Sequence, residues 1–262
     1  MSTAGVERRP FRPNWAARAG WVLALAYFIY AASALDFTWA RFIQGLDNGA
    51  KFLSEMVPPN FERWRLLLEN LVETVEIAVI ASAFGVLLSL PIGLCAARNL
   101  MPSWLTWPAR GVIVICRSFH PVIFAILFVK AVGFGPLAGI LTLIFASIGF
   151  IGKLFAEAIE EISLKPVEAT KAAGAPFASV LIFAVLPQVL NRFIGFSTYQ
   201  FDANLRNSTM IGIVGAGGIG GTLFAAFQRF DYDFLAAILI AIIALIMVGE
   251  SVAIRIKAVF ND

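Results

Sequence analysis

Charge is scarce in this chain: 20 Lys and Arg and 17 Asp and Glu are spread over 262 residues, so 14% are charged and 60% are apolar. A soluble domain carries roughly a quarter charged residues. That shortfall, with a mean hydropathy of +0.83, excludes the soluble class and implies an integral membrane protein. The formal charge of +3 is small and dispersed, which speaks against nucleic acid as a partner. Only two cysteines occur, Cys95 and Cys116, both inside apolar runs, where a small buried hydrophobe fits better than a disulfide or a metal ligand. With a single histidine, His120, and no Cys/His cluster, no metal centre is expected, and no cofactor is implied. The phosphate-cradling pattern G-x(4)-G-K-[ST] is missing as well. The chain therefore cannot bind ATP by the P-loop route, and if ATP drives it, another subunit hydrolyses it. No repeat of 20 to 50 residues and no low-complexity segment interrupts the pattern.

What is present is a series of apolar runs. Ile77 to Ala97 holds no charge over 21 residues, enough for about 30 Å of hydrocarbon at about 1.5 Å per residue. Upstream, a basic stretch with Arg8, Arg9, Arg12 and Arg18 precedes the uncharged run Ala19 to Leu35, which ends in Ala32-Ser33-Ala34. It reads as a retained first helix, with Trp21 and Tyr27 to Tyr30 making it bulky and interfacial, or as a cleavable signal peptide; either puts Asp36 outside the cytoplasm. Asp36 to Glu69 mixes charges with aromatics and Pro58-Pro59 and suits short interfacial segments. Residues 1–69 thus form a tail, a first helix and an external segment; residues 70–257 form the membrane-spanning body.

Within that body the second span is expected over Asn70 to Ala97. A third, Gly111 to Val132, is broken by Arg117, His120 and Pro121 and closed by the turn Gly133-Phe134-Gly135-Pro136; a fourth covers Leu137 to Glu161. A fifth is expected from Pro187 to Met210 and a sixth from Phe234 to Gly249. Six spans put both termini on one side. Ten loop cations (Arg8, Arg9, Arg12, Arg18, Arg98, Arg110, Lys165, Lys171, Arg255, Lys257) fall on that side, against five (Arg41, Lys51, Arg63, Arg65, Arg229) on the other, which makes it cytoplasmic.

One polar stretch stands between long apolar runs, Lys165 to Pro176. Pro166 suits a helix start, Glu168, Ala169, Ala172 and Ala173 favour helix, and Gly174 before Pro176 is a strong stop. The expectation is two or three helical turns outside the lipid, in a loop near 164–180, closing at Leu186-Pro187. An ordinary loop is the plain alternative.

Val214 to Gly220 matches the dinucleotide fingerprint G-x-G-x-x-G by letter, but only 42 residues follow Gly220, most of them the last span, so the βαβ context is missing. In a membrane bundle, Gly215, Gly217, Gly218 and Gly220 permit close packing or a broken helix lining a cavity. Upstream lies a polar stripe in an apolar span. Asp202 and Arg206 are i,i+4 neighbours able to pair, and Gln200, Asn204 and Ser208 recur on a neighbouring face, with Thr209 beyond. Such groups either line a water-filled path or lock two helices. His120 is either a proton carrier or substrate donor, or a packing residue.

The spacing Glu168-Ala169-x(4)-Gly174, with Leu186 twelve residues later and followed by Pro187, resembles the cytoplasmic coupling motif of bacterial ABC importer permeases. Together with Val132-Gly-Phe-Gly-Pro136, Pro166-Val-Glu-Ala169, Val185-Leu-Pro-Gln-Val189 and Asn204-x-Arg206 leading to Gly215-Ala-Gly-Gly-Ile-Gly220, it makes the chain similar to permease subunits of phosphonate-type importers from about Asn70 to Lys257. The resemblance implies the all-α, polytopic type I importer permease fold in the bacterial inner membrane. It implies ATPase coupling through Glu168, Ala169, Gly174 and Pro187. It also implies a translocation path near Asp202, Asn204, Arg206, Ser208, Thr209 and the four glycines, with His120 and Gln200 as further candidates. The implied partners are a second permease, most simply another copy, two ATP-binding subunits and an external binding protein. The family pattern usually has a basic residue where Gln200 stands and often an acidic one where His120 stands, so phosphite or hypophosphite stays open beside organophosphonates. Methionine or a quaternary amine is the rival solute. A lipid-phosphate enzyme, lacking any His/Asp/Glu cluster, and a passive channel are the rival classes.

Overall fold

In the computed structural model every element among the described residues, 15–34 and 38–261, is helical. Arg8, Arg9, Arg12, Leu35 and Asp36 lie outside the described residues, as does the side chain of Lys257. The chain divides into two units, Met1–Glu55 and Met56–Asp262. The first holds α1 (Trp15–Ala34), which buries no residue, and α2 (Trp39–Glu55). In α2, Phe42, Ile43, Leu46 and Leu53 are exposed at helical spacing opposite Arg41, Asp47 and Lys51. That is the pattern of a helix lying in an interface.

The second unit is organised on three helices: α3 (Trp64–Ala96), α6 (Pro136–Glu160) and α9 (Leu186–Gly212). α3 begins six residues before the expected Asn70, because Leu67 is buried and carries the apolar face back by nearly a turn. Small residues let these helices approach closely. A Cβ on Gly85 would collide with Ser147, and one on Gly93 would come 3.0 Å from the Gly152 carbonyl. Such close contacts between small residues replace the hydrophobic driving force that lipid cannot supply.

The expected third span is two helices, α4 (Ser103–Ser118) and α5 (Pro121–Val132), bent by 95° at Phe119–His120. The bend follows from Pro121, which cannot continue a helix but is well placed to start one, and His120 Nδ1 accepts a 3.3 Å hydrogen bond from the Val122 amide as the N-cap of α5. α4 starts eight residues before the expected Gly111, taking up most of the Arg98–Arg110 loop. Beyond α6 come α7 (Leu164–Ala172) and α8 (Phe177–Val180), which passes through a π-helical turn, Leu181–Val185, into α9. The π turn sits just before Pro187, whose missing amide cannot serve the preceding turn. The fifth span is consequently one continuous stretch, Phe177–Gly212. A short apolar α10 (Ile219–Gln228) and the long α11 (Tyr232–Asn261) complete the chain.

Among the described residues five helical stretches are long and apolar enough to cross a membrane, and six if the bent α4–α5 pair is one span. α3 and α6 end at the side where α7 sits, and α9 starts there. The opposite end of the core carries the Gly133–Pro136 turn and the glycine-rich loop.

Candidate functional site

α9 strings together three groups of sequence-predicted residues. Pro187 is at its start, Gln200 to Thr209 occupy its middle and far half, and the glycines follow its end. Asp202 is 16 residues from Leu186, about 24 Å along the axis at the usual rise, so the residues around Pro187 and the polar stripe do not meet.

At the start of α9 the polar stretch folds as the expected short helix, α7. Val167 is its one buried residue, packed among Ile159, Val180, Ala184 and Val185. Glu168, Ala169, Gly174 and Pro187 are all exposed. Gly174 has φ of +76° with open space around it, so the turn demands glycine for its backbone and not for room. What holds α7 is a residue that the sequence reading noted only as part of a motif: Gln188. Its Oε1 accepts from the Ser163 amide at 3.0 Å, and its Nε2 donates to the Ser163 carbonyl at 3.3 Å and to that of Ala184 at 2.6 Å. The start of α7 is thereby clamped to α9 through both backbone groups of one residue.

A polar collar closes the same end. Arg110 donates through Nη2 to Glu160 Oε1 at 2.6 Å and through Nε to the Ala96 carbonyl at 2.9 Å, and the same Glu160 oxygen accepts from the Arg98 amide at 2.8 Å. Asn99 reaches the Ile159 carbonyl at 2.7 Å, and Arg192 pairs with Glu161. These bonds fix the ends of α3 and α6, the middle of α4 and the first turns of α9 to one another beside α7.

In the middle of α9 the polar side chains face two ways. Gln200 and Asn204 point into the core and meet Ser82 of α3 and Ser147 of α6. Asn204 Nδ2 donates to Ser82 Oγ at 2.9 Å and to Ser147 Oγ at 3.0 Å, while Asn204 Oδ1 accepts from Gln200 Nε2 at 2.9 Å. Gln200 Nε2 also donates to Ser147 Oγ at 3.1 Å, and the Ser147 hydroxyl donates to the Leu143 carbonyl at 2.7 Å. Asn204 and Ser147 are fully buried, and every polar atom of the Asn204 side chain is used. An uncharged, satisfied network of this kind fixes the register of three helices. Ser208 and Thr209 return their hydroxyls to the Leu205 and Arg206 carbonyls of their own helix.

Asp202 and Arg206 face the other way. Arg206 Nη2 donates to Asp202 Oδ2; the Arg206 side chain is 44% exposed and that of Asp202 13%. The second carboxylate oxygen, Oδ1, is buried and has no hydrogen-bond partner among the described residues. The pair therefore lies at the border between protein interior and the surface of this subunit.

Past α9, residues 213–218 make a loop pressed against α3 and the Gly133–Pro136 turn. Gly215, Gly217 and Gly218 have φ of +88°, +83° and +77°. The Gly215 carbonyl accepts from the Gly135 amide at 3.0 Å, and Thr74 Oγ1 accepts from the Ile219 amide at 2.8 Å, capping α10. Gly217 lies against Glu73 and Pro136, Gly218 against Thr74, and Gly220 against the Thr209 carbonyl and Gly212. The loop is a close-packed junction. His120 stands apart from all these groups, exposed at the α4–α5 bend. Among the described residues no group of three or more His, Cys, Asp or Glu could hold a metal ion.

Residues 89–261 match the family model described as binding-protein-dependent transport system inner membrane component. The chain is 42% identical over 216 residues to the phosphate-import permease protein PhnE of Mycolicibacterium smegmatis, covering 82% of this chain and 40% of that protein. It is 40% identical over 210 residues to the phosphite transport system permease protein PtxC of Stutzerimonas stutzeri, covering 80% and 76%. The chain thus spans less than half of the first relative and about three quarters of the second. Among solved structures, an inward-facing MetNI methionine ABC transporter superposes with a TM-score of 0.67 at 23% identity, over 77% of this chain and 99% of the other. The architecture described above is accordingly the type I importer permease fold.

Proposed function

Since the chain belongs to the binding-protein-dependent transport system inner membrane component family, we propose that it is the permease subunit of an ATP-driven importer that carries a phosphorus oxyanion, phosphonate or phosphite in class, across the inner membrane. The substrate class rests on the relatives named for phosphate and phosphite transport. The partners in this reading are a second permease copy, two ATP-binding subunits and an external binding protein, with both termini cytoplasmic. The ATPase acts on α7 through the exposed Glu168, Ala169 and the bend at Gly174.

The observation that carries the reading is the double attachment of α7. Its one buried side chain, Val167, and the Gln188 clamp tie the start of the helix to α9 and the turn before it. A push on α7 becomes a movement of α9, and with it of Asp202, Arg206 and the glycine junction, as one stiff rod. That is what a rigid-body alternation between outward- and inward-open states requires. Asp202 and Arg206, at the border of the subunit, are assigned to the translocation path, where the guanidinium offers a passing anion a transient partner. Asn204, Ser208, Thr209 and the four glycines back that path as its support, with Gln200 beside them. His120 is assigned to the bend.

The test is uptake of radiolabelled phosphite and of an organophosphonate in cells lacking the gene for this chain and supplied with it again. Loss and recovery of phosphorus-oxyanion uptake, with methionine uptake unchanged, is the expected result. A defect confined to methionine would overturn the substrate class, and no defect in any ATP-driven uptake would overturn the importer reading.

A further inference from the structure

Beside the polar collar, on the face of α4 turned toward α6, lies a cavity of about 510 Å³ that the coupling scheme does not use. Four cations line it: Arg98, Arg110, Arg117 and Lys153, with Glu157 and the indole of Trp107. Two of the four are already answered, Arg110 by Glu160 at 2.6 Å and Lys153 by Glu157 at 3.3 Å. The guanidinium groups of Arg98 and Arg117 have no hydrogen-bond or ion-pair partner among the described residues. The cavity therefore holds an excess of two positive charges.

For Arg117, inside the apolar stretch, the position makes unpaired charge costly, while Arg98 stands exposed just past the end of α3. Arg117 lies with its stem against Gly149 of α6, and Lys153 follows one turn nearer the α7 end. The cations thus climb from the end of the bundle into the apolar stretch, where unpaired charge is expensive. A smaller cavity of about 210 Å³ shares Arg98, Trp107 and Arg110 and adds Ser103 at the start of α4. That 16-residue helix has no side-chain cap, so its first amides add to the positive field. Trp104 and Trp107 are largely exposed, as indoles at a membrane–water boundary are.

We infer that this cavity is a binding site for a phosphate-class oxyanion, separate from the Asp202–Arg206 pair, in which Arg98 and Arg117 hold one phosphoryl group between them. The group is carried either by the headgroup of an acidic phospholipid, seated from the bilayer past Trp107, or by a free oxyanion in the cavity. Guanidinium forks match the geometry of phosphoryl oxygens in both cases.

The full-length chain, purified in detergent, distinguishes the sources. Native mass spectrometry after reconstitution in nanodiscs of phosphatidylcholine with phosphatidylglycerol reads the lipid, and calorimetric titration with inorganic phosphate reads the free anion. Wild type is expected to retain phosphatidylglycerol selectively over phosphatidylcholine, or to bind phosphate saturably. The double variant Arg98→Gln, Arg117→Gln should weaken whichever binding is seen by about tenfold or more, the loss expected for charge-assisted hydrogen bonds. Arg98→Lys with Arg117→Lys, which keeps the charge and loses the fork, should fall between wild type and the Gln variant. Ser118→Asp, which adds a carboxylate to the wall and removes no packing, should reproduce the loss independently of the arginines. Retained phosphatidylglycerol identifies a lipid site, and saturable phosphate identifies a free-anion site. Failure of wild type to take up either probe, or unchanged binding in the Gln variant and in Ser118→Asp, overturns the inference. The uptake experiment above removes and restores the whole gene and reads transport of phosphite and organophosphonate, whereas the Gln variant and Ser118→Asp are read as binding of lipid or phosphate to the purified chain, so the two can fail separately.

Discussion

Truncating Asn204 to alanine removes the hub of the buried network. Three hydrogen bonds go with it: two donated to Ser82 and Ser147 and one accepted from Gln200. The bonds to Ser82 and Ser147 cross between helices, where the average in membrane proteins is about 0.6 kcal/mol, and the bond from Gln200 runs along α9 itself; with buried bonds worth up to about 1.5 kcal/mol, the set amounts to about 2 to 4.5 kcal/mol. Gln200 keeps its bond to Ser147 and Ser147 its bond to the Leu143 carbonyl, which holds the loss to that range. The assay is equilibrium unfolding of the purified chain in mixed micelles with increasing SDS, followed by helical circular dichroism. A cycle with Ser82→Ala and the double variant isolates one bond, with an expected coupling of about 0.6 kcal/mol. The reasoning is refuted if Asn204→Ala unfolds within about 0.5 kcal/mol of wild type while uptake falls, because the side chain would then serve the solute instead of the packing.

Gln188→Ala frees the start of α7 from α9 and should cut ATP-driven uptake severalfold while the complex still assembles, as read by copurification of the ATPase. Gly174→Ala places a Cβ at a left-handed turn with open space around it, so a cost of about 1 kcal/mol and a partial uptake defect are expected, with Gly174→Asn milder. Gly220→Ala sets a Cβ into the Thr209 carbonyl and Gly212, both backbone, whereas Gly249→Ala meets only the flexible end of Leu205; expression and melting in detergent should fail for the first and hold for the second. Asp202→Asn with Arg206→Gln removes both charges and keeps shape; uptake staying low in an assembled complex supports the path role, and recovery above either single variant reduces the pair to scaffolding.

The apolar runs and the short polar helix α7 were legible because each carries its own local signal. Lys165 to Pro176 combines a helix-starting proline with a glycine stop, and the helix forms and ends there. The long spans are set by uncharged length alone. What escaped the sequence reading depends on residues brought together from afar. The partners of Asn204 lie 122 and 57 positions away, and the only hint was that Ser82 and Ser147 sit at otherwise apolar positions. The Gln188 clamp joins side chain to backbone, which leaves no complementary letter to find. The early starts of α3 and α4 reflect amphipathic turns, such as that of Leu67, which an uncharged-run criterion passes over. α10 was hidden by its glycines, although Ile219, Leu223, Ala226 and Phe227 repeat at helical spacing.

The central claim, that this chain moves a phosphorus oxyanion inward by rigid coupling through α7 and α9, is tested most directly by the complete transporter in proteoliposomes, with ATP supplied on the α7 side and binding protein on the other. The account predicts that labelled phosphite or phosphonate crosses toward the ATP side with wild type, and that Gln188→Ala lets ATP hydrolysis continue while transport falls. Transport of the oxyanion without ATP, or full transport with the clamp removed, would contradict it.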